Sequence, residues 1–529
     1  MFKRPTYADL LIAAVFIAVI TFQPYFLHGK INLFELGIYL PNIDALFSGK
    51  VPYRDFFYLR GPFELYVPAG LMAVFGKEIS VLMAYFYGGT VLTILLFAWI
   101  GKNLYRTRWI FFLMVAVLVA RTFPRVVFTY WGGWRFALGA LAILLAIPYF
   151  SRKRRGWLFA AGIITSCALL TSIEVGTCSF TGITAALVIS ALYQGKTTNK
   201  ILLEPFLSYG AGCLPVVIPY AIYLAVHQAF LPYCDALYHV LTNMQNVFPS
   251  DVPRFQHMTP AFLYVVLVSY LIYKIWHRKM GATQFMVIAL GVYGLVLYLS
   301  AFRNIEAAQF EMALQPEKIL FFFLWEEAYL FLAAKKVKYI AILIVILTLS
   351  SLGYAAARYN NRFFVYKYLY NKLTGHEIAV LRPLAGEESV RLETQRVKGL
   401  VVPKEQAEDF IQLRNFVQER TAVQEPVFMF PELGIYYFIV DRPFAGRFAT
   451  ATFSWMDERW HEELMSWLKE TPPRVAVVQR EPSPWFAETY FKVSKNRDKY
   501  QQTLDFIQKH YILAGSTHSL DIYTYFGER

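Results

Sequence analysis

Charge is scarce in this chain. Only 17% of its 529 residues are Asp, Glu, Lys or Arg, against roughly 25% in a soluble domain. With 57% hydrophobic residues and a mean hydropathy of +0.40, that shortage excludes an ordinary soluble enzyme and implies a polytopic membrane protein. Cysteine is sparse too. Cys167, Cys178, Cys213 and Cys234 fit neither a zinc motif nor a dense disulfide framework. They read as packing residues of membrane helices, with a Cys178–Cys234 bridge left open. Acidic residues are outnumbered, and the net charge is +14. No basic stripe or nucleic-acid motif accompanies that excess, so nucleic acid is not an expected partner.

Several catalytic signatures are also missing. There is no Walker motif, no GxGxxG opening a helix, no GxSxG elbow and no HExxH. These absences argue against an ATPase, a dinucleotide-dependent dehydrogenase, a serine hydrolase and a zincin. There is no internal repeat or low-complexity tract, and no pair of interrupted helices in two matching halves, as a secondary transporter would show.

What the chain does have is a series of apolar runs. They fall at 9–27, 80–100, 108–123, 134–150, 156–173, 177–194, 205–228, 261–276, 282–301, 318–334 and 338–356, about eleven spans. The first lacks a small-x-small cleavage site and is read as an uncleaved span. The basic segments MFKR, GKNLYRTR, SRKRR, QGKTTNK, KIWHRKM and KKVK all fall on one side of this series. The positive-inside rule assigns that side to the cytoplasm. The N-terminus is then cytoplasmic, and the loop 28–79 and the C-terminal part face outward.

Residues 1–358 are expected to form the transmembrane domain and 359–529 a small α/β or α+β exoplasmic domain. In the latter, PVFMFPELGIYYFIV reads as two short strands around a turn, RVAVVQ and LDIYTYF as strands, and DERWHEELMSWLKE and NRDKYQQTLDFIQKHY as helices. The run Gly61–Gly76 carries Glu64 and two prolines, and crossing with it would invert every later loop. It is read as a helix lying at the interface.

The outward segments hold the ionisable residues. Asn32–Gly76 carries Glu35, Asp44, Asp55, Arg60 and Glu64; Arg121, Arg125 and Arg135 lie at span ends; Glu174 sits in TSIEVG, and Arg303 and Glu306 in AFRNIEAAQF. Charges at membrane depth are costly, so they pair or serve a function. Arginine suits an anionic leaving group, and a carboxylate can take a proton from an attacking hydroxyl. Each also has a structural reading: Asp55 as partner of Arg54 or Arg60, Asp44 as a helix-face charge, Arg303–Glu306 as a local ion pair. Glu326 and Glu327 lie within a span. His239 and His257, near Asp235 and Asp251, have no diagnostic metal spacing.

The stretch FELGIYLPNIDALFSGKVPYRDFFYLRGPFELYVPAGLMAVFG resembles the first exoplasmic loop of GT-C-fold glycosyltransferases, the superfamily of protein O-mannosyltransferases and aminoarabinose transferases. Glu35, Gly37, Tyr39, Gly49, Pro52, Tyr53, Arg54, Asp55, Gly61, Pro62 and Gly76 carry the match. Phe34 stands where an aspartate usually precedes the glutamate, leaving Glu35 as the single candidate there. TSIEVG resembles a second motif through Glu174 and Gly176, and AFRNIEAAQF a third through Arg303, with Glu306 in the acidic place and no equivalent of its histidine.

The resemblance implies a transferase that takes a sugar from a polyprenyl-phosphate donor to a hydroxyl of a glycan, lipid or protein acceptor, with inversion, at the outer face of a bacterial inner or plasma membrane. Glu35 and Asp55 are its candidate catalytic residues. Arg60, Glu174, Arg303 and Glu306 are its candidate donor-binding residues. A divalent metal is left open. The alternatives are a non-catalytic GT-C-like membrane protein and a transporter or polymerase of lipid-linked glycans.

Overall fold

We describe a computed structural model over residues 3–22, 26–122, 133–194, 199–247, 255–302, 312–334, 388–449 and 456–527, with isolated positions between 339 and 349. The chain divides into two compact units. The first comprises Met1–Gln23, Phe86–Ile218 and Val252–Ile378; the second comprises Pro24–Tyr85, Pro219–Asp251 and Ala379–Arg529.

The helices before the C-terminal region are α1 (Tyr7–Thr21), α2 (Leu33–Phe47), α3 (Phe63–Phe75), α4 (Ile79–Leu104), α5 (Arg108–Thr122), α6 (Gly133–Arg152), α7 (Arg155–Thr171), α8 (Ile173–Tyr193), α9 (Asn199–Val226), α10 (Phe230–Val247), α11 (Phe255–Trp276), α12 (Ala282–Ala301) and α13 (Gln315–Ala334). Among the described residues, five are long and apolar enough to cross a membrane: α4, α6, α8, α9 and α12. Helices α1, α5, α7 and α11 are apolar but shorter in their described parts. Helix α13 is helical over the expected span but buries Lys318 and Glu326. The eleventh stretch lies outside the described residues apart from isolated positions.

Small residues let the helices of the first unit approach closely, as in other membrane bundles. A Cβ on Gly162 of α7 would sit 2.2 Å from the Tyr209 carbonyl oxygen on α9. One on Gly182 of α8 would sit 2.5 Å from that of Ala289 on α12.

Charged contacts tie several of the described basic segments to neighbouring segments of this unit. Arg108 donates to Asp9 at 2.5 Å, and Arg106 and Lys274 both pair with Glu327, at 3.2 and 3.1 Å. Glu326 accepts from the Arg106 backbone, which caps the start of α5. Tyr193 accepts from the Met280 backbone, and Arg155 pairs with Glu204. Glu326 and Glu327 are therefore structural anchors of these segments.

In the second unit, the C-terminal region adds β1 (Ser389–Arg391), β2 (Val401–Pro403), α14 (Lys404–Arg420), β3 (Phe428–Phe430), α15 (Gly434–Val440), α16 (Glu458–Glu470), β4 (Val475–Gln479), α17 (Pro484–Tyr490), α18 (Ser494–His510), β5 (Tyr511–Ser516) and β6 (Leu520–Tyr525). The sheet runs β3-β4-β6-β5, with β3 parallel to β4 and the other pairs antiparallel. On α16, Trp460, His461, Leu464 and Leu468 are buried at helical spacing.

One expectation fails. The second half of PVFMFPELGIYYFIV is not a strand but the helix α15. All seven of its residues are buried. A segment apolar on every face fits a buried helix as well as a strand, and tertiary packing overrides its β-rich composition.

That packing is against α2. A Cβ on Gly434 would lie 2.8 Å from the Gly37 carbonyl oxygen, and one on Gly37 would lie 3.0 Å from the Ile435 nitrogen. Further ties join the first loop to the C-terminal region. Gly29 donates to the Val401 carbonyl at 2.9 Å, and Ile31 donates to Gln406 at 2.9 Å. Phe57 donates to the Arg447 carbonyl at 2.9 Å. Arg396 pairs with both Asp44 and Asp441. The loop 28–79 is thus one folded body with the C-terminal segment.

Candidate active site

The first loop builds the site from three local pieces. Asn32 caps α2 by accepting from the Glu35 backbone at 3.0 Å. Glu35 therefore sits in the first turn, where the helix dipole favours a carboxylate. The second piece is VPYRDFF, a tight turn. Tyr53 takes φ +68 and donates its backbone N–H to the Phe56 carbonyl at 2.7 Å. The third is the start of α3, which places Glu64 in its first turn.

These pieces converge on Arg60. Its Nη2 lies 3.3 Å from Glu35 Oε2, with 21% of the arginine side chain and 13% of the glutamate side chain exposed. Glu64 is fully buried and accepts from the Tyr39 hydroxyl at 2.7 Å. Burial opposes the charge of Arg60, but Tyr39, Glu35, Glu64 and Tyr58 more than offset it and raise its pKa. Two buried donors at the centre have no hydrogen-bond partner among the described residues: Arg60 Nε and the Tyr58 hydroxyl. Burial raises the Tyr58 pKa far above its ordinary value, so that hydroxyl keeps its proton. The Tyr53 hydroxyl donates to the Arg60 carbonyl at 3.1 Å and fixes the backbone at that point.

Asp55 sits elsewhere in the turn. It makes a bidentate pair with Arg54 at 2.7 and 2.9 Å and accepts from the Val51 backbone at 2.7 Å. Those bonds, the Arg54 pair first, hold its pKa below the usual carboxylate range. Asp44 pairs with Arg396, and burial raises its pKa despite that partner. In the first unit, Glu174 lies in the first turn of α8 and accepts from Ser300 in the last turn of α12. Arg303 and Glu306, which follow α12 in sequence, lie outside the described residues, as do Arg125 and the side chains of Arg121 and His257.

His239 contacts Asp457 at 3.2 Å and stacks on Trp460, and Asp235 pairs with Arg459. These contacts dock α10 on α16. Among the described residues, no three His, Cys, Asp or Glu side chains group so as to hold a metal ion. All four cysteines are free thiols. Sequence reasoning noted Glu64 only as one charge among several. Its burial and its hydrogen bond to Tyr39 depend on contacts between helices that spacing alone does not reveal.

The apolar helices fit an integral membrane protein, and the chain shares its fold with solved structures that include two of ArnT from Cupriavidus metallidurans. The one bound to undecaprenyl phosphate superposes over 97% of this chain and 97% of its own, with a TM-score of 0.56 at 12% identity. The apo form covers 97% and 96%, with a TM-score of 0.52 at 10% identity. No protein-family model and no curated protein sequence matches the chain.

Proposed function

We propose that this protein transfers a sugar from a polyprenyl-phosphate-linked donor to an acceptor hydroxyl at the exoplasmic membrane face. The observation that carries the reading is the Glu35–Arg60 pair, a carboxylate in the first turn of α2 and a guanidinium from the segment just before α3. The likeness to a protein solved with undecaprenyl phosphate supports a lipid phosphate as leaving group.

In this mechanism the acceptor oxygen attacks the anomeric carbon while the bond from that carbon to the phosphate oxygen breaks. Glu35 takes the hydroxyl proton, and the phosphate departs as an anion stabilised by Arg60. The transition state has oxocarbenium character, by analogy with glycoside chemistry. Asp55 acts indirectly, by holding the turn that presents Tyr58 and Arg60. Glu174, Arg303 and Glu306 are assigned to the donor on the sequence resemblance. With α3 13 residues long, or about 20 Å against a hydrocarbon core of about 30 Å, we read it as lying on the membrane surface. The sequence pattern of basic segments, several of them tied to their neighbours in the first unit, supports a cytoplasmic N-terminus.

The test is to compare lipid-linked sugars and surface glycans in cells with and without the protein. Accumulation of one donor together with loss of one glycan residue names both substrates. Unchanged pools contradict the assignment.

A further inference from the structure

We propose that α10 lies on the bilayer, with a stripe of Leu231, Cys234, Tyr238 and Leu241 in contact with lipid and the opposite face holding the C-terminal region. Lipid contact at this helix is independent of the transferase reading.

The stripe follows from spacing. Residues 231, 234, 238 and 241 recur at steps of three or four, which keeps their side chains on one side of a helix. Leu231 is 77% exposed, Tyr238 69% and Leu241 56%, and Cys234 is exposed between them. Phe230 adds a further exposed ring at the start of the helix. The opposite side buries Ala236 and His239. That side is already occupied: His239 stacks on Trp460 with ring centroids 3.6 Å apart, and Asp235 pairs with Arg459 at 2.9 Å. The open side is therefore a contiguous apolar surface, the kind that marks an interaction site.

Lipid is the occupant that the chain's connections favour. Helix α10 starts directly after His227–Ala229, which follow α9, and α9 is long and apolar enough to cross a membrane. Ile222 and Val226 near the end of α9 are exposed, so apolar surface runs up to that connection. At the other end, residues 248–254 lead into α11, a second apolar helix. That connection reaches about 25 Å when fully extended. Helix α10, with 18 residues, is about 27 Å long. Apolar helices at both of its ends thus favour a helix lying along the surface over an upright one. Helix α10 has no Lys or Arg, and Asp235 is its only carboxylate. Attraction to anionic headgroups is then no part of the contact. Apolar side chains enter the boundary of headgroups and acyl chains, with the Tyr238 hydroxyl at headgroup level.

The contact bears on the candidate site. Tyr233 of α10 packs T-shaped against the Tyr53 ring at 4.9 Å, and Arg54 donates to the His227 carbonyl at 3.0 Å. A lipid-bound α10 therefore sets the height above the membrane of the turn that leads to Arg60.

The test is spin-label accessibility of the full chain in nanodiscs of neutral phosphatidylcholine. Cys167, Cys178 and Cys213 are replaced by Ala, which leaves Cys234 as a native labelling position that needs no change in the stripe. Leu231→Cys, Tyr238→Cys and Leu241→Cys, each with Cys234→Ala, complete the set, and Gln424→Cys, exposed in the C-terminal region, is the water control. Oxygen concentrates in lipid and a nickel chelate stays in water. Each stripe label should show an oxygen-to-nickel collision ratio shifted well above that of Gln424→Cys, and added salt should leave the shift unchanged. A ratio at Cys234 equal to the water control overturns the proposal. So does a label shielded from both reagents, which means that a protein partner or a second copy covers the stripe. Either result leaves the transferase reading, which is tested on glycan pools, where it stood.

Discussion

Gly37 and Gly434 meet backbone to backbone where α2 crosses α15, 397 positions apart in sequence, close enough that a Cβ on Gly434 would approach the Gly37 carbonyl oxygen to 2.8 Å. The helix that carries Glu35 is thereby seated on the C-terminal region. Gly434→Ala should therefore destabilise the protein by about 1–3 kcal/mol through overpacking. The measurement is a thermal melt in detergent, with Gly70→Ala as the control, because a Cβ there meets nothing within 4 Å.

The Arg396 clamp supports the same helix. Its guanidinium pairs with Asp44 and Asp441 and donates to the Phe438 carbonyl at 2.9 Å. Arg396→Ala leaves the half-buried Asp44 without that counter-charge. A loss of about 1–3 kcal/mol is expected from removing a charge-assisted hydrogen bond. Asp44→Asn in the same background should recover part of it, as read by chemical or thermal unfolding.

Arg60→Lys keeps the charge but loses the planar fork that can hold a phosphate through two donors. Turnover should fall by about 10²-fold, the scale of one lost transition-state donor. The expected pattern is a drop in kcat larger than the change in donor KM, measured by steady-state kinetics once the substrates are named.

Glu432 gives a pH signature. Burial raises its pKa from 4.5 to about 7, against a lowering from the Ser483 hydroxyl. A folded pKa above the unfolded value means that the folded state binds the proton more tightly. Stability from this group is thus full below about pH 4.5 and lost as pH rises through about 7. Glu432→Gln should remove that loss, so the variant should out-melt the wild type increasingly across this window, by on the order of 2–3 kcal/mol at most. A constant difference in melting temperature across the window contradicts it.

Much of the helical membrane part was legible because apolar runs are a local signal. The pairing of Glu35 with Arg60 was partly legible. Both stood out as charges in an apolar, aromatic loop, but their contact needs the turn around Tyr53, which a positive φ closes. Asp55 was readable as a partner of Arg54 because the two are neighbours in sequence. Glu64 and Asp44 were not readable in their roles, since burial and the Arg396 pair are set by contacts between distant segments. The misread strand at α15 has the same origin. Its Ile, Tyr, Phe and Val favour β-structure locally, and its contact with α2 decides otherwise.

The central claim is that Glu35 is the base of a lipid-linked sugar transfer. The most direct measurement returns Glu35→Gln to cells lacking the protein, at wild-type membrane abundance, and analyses donor lipids and surface glycans together. The account predicts that the variant leaves the glycan residue absent and the donor accumulated, as in the deletion, while the wild type restores both. Full restoration by Glu35→Gln would contradict it.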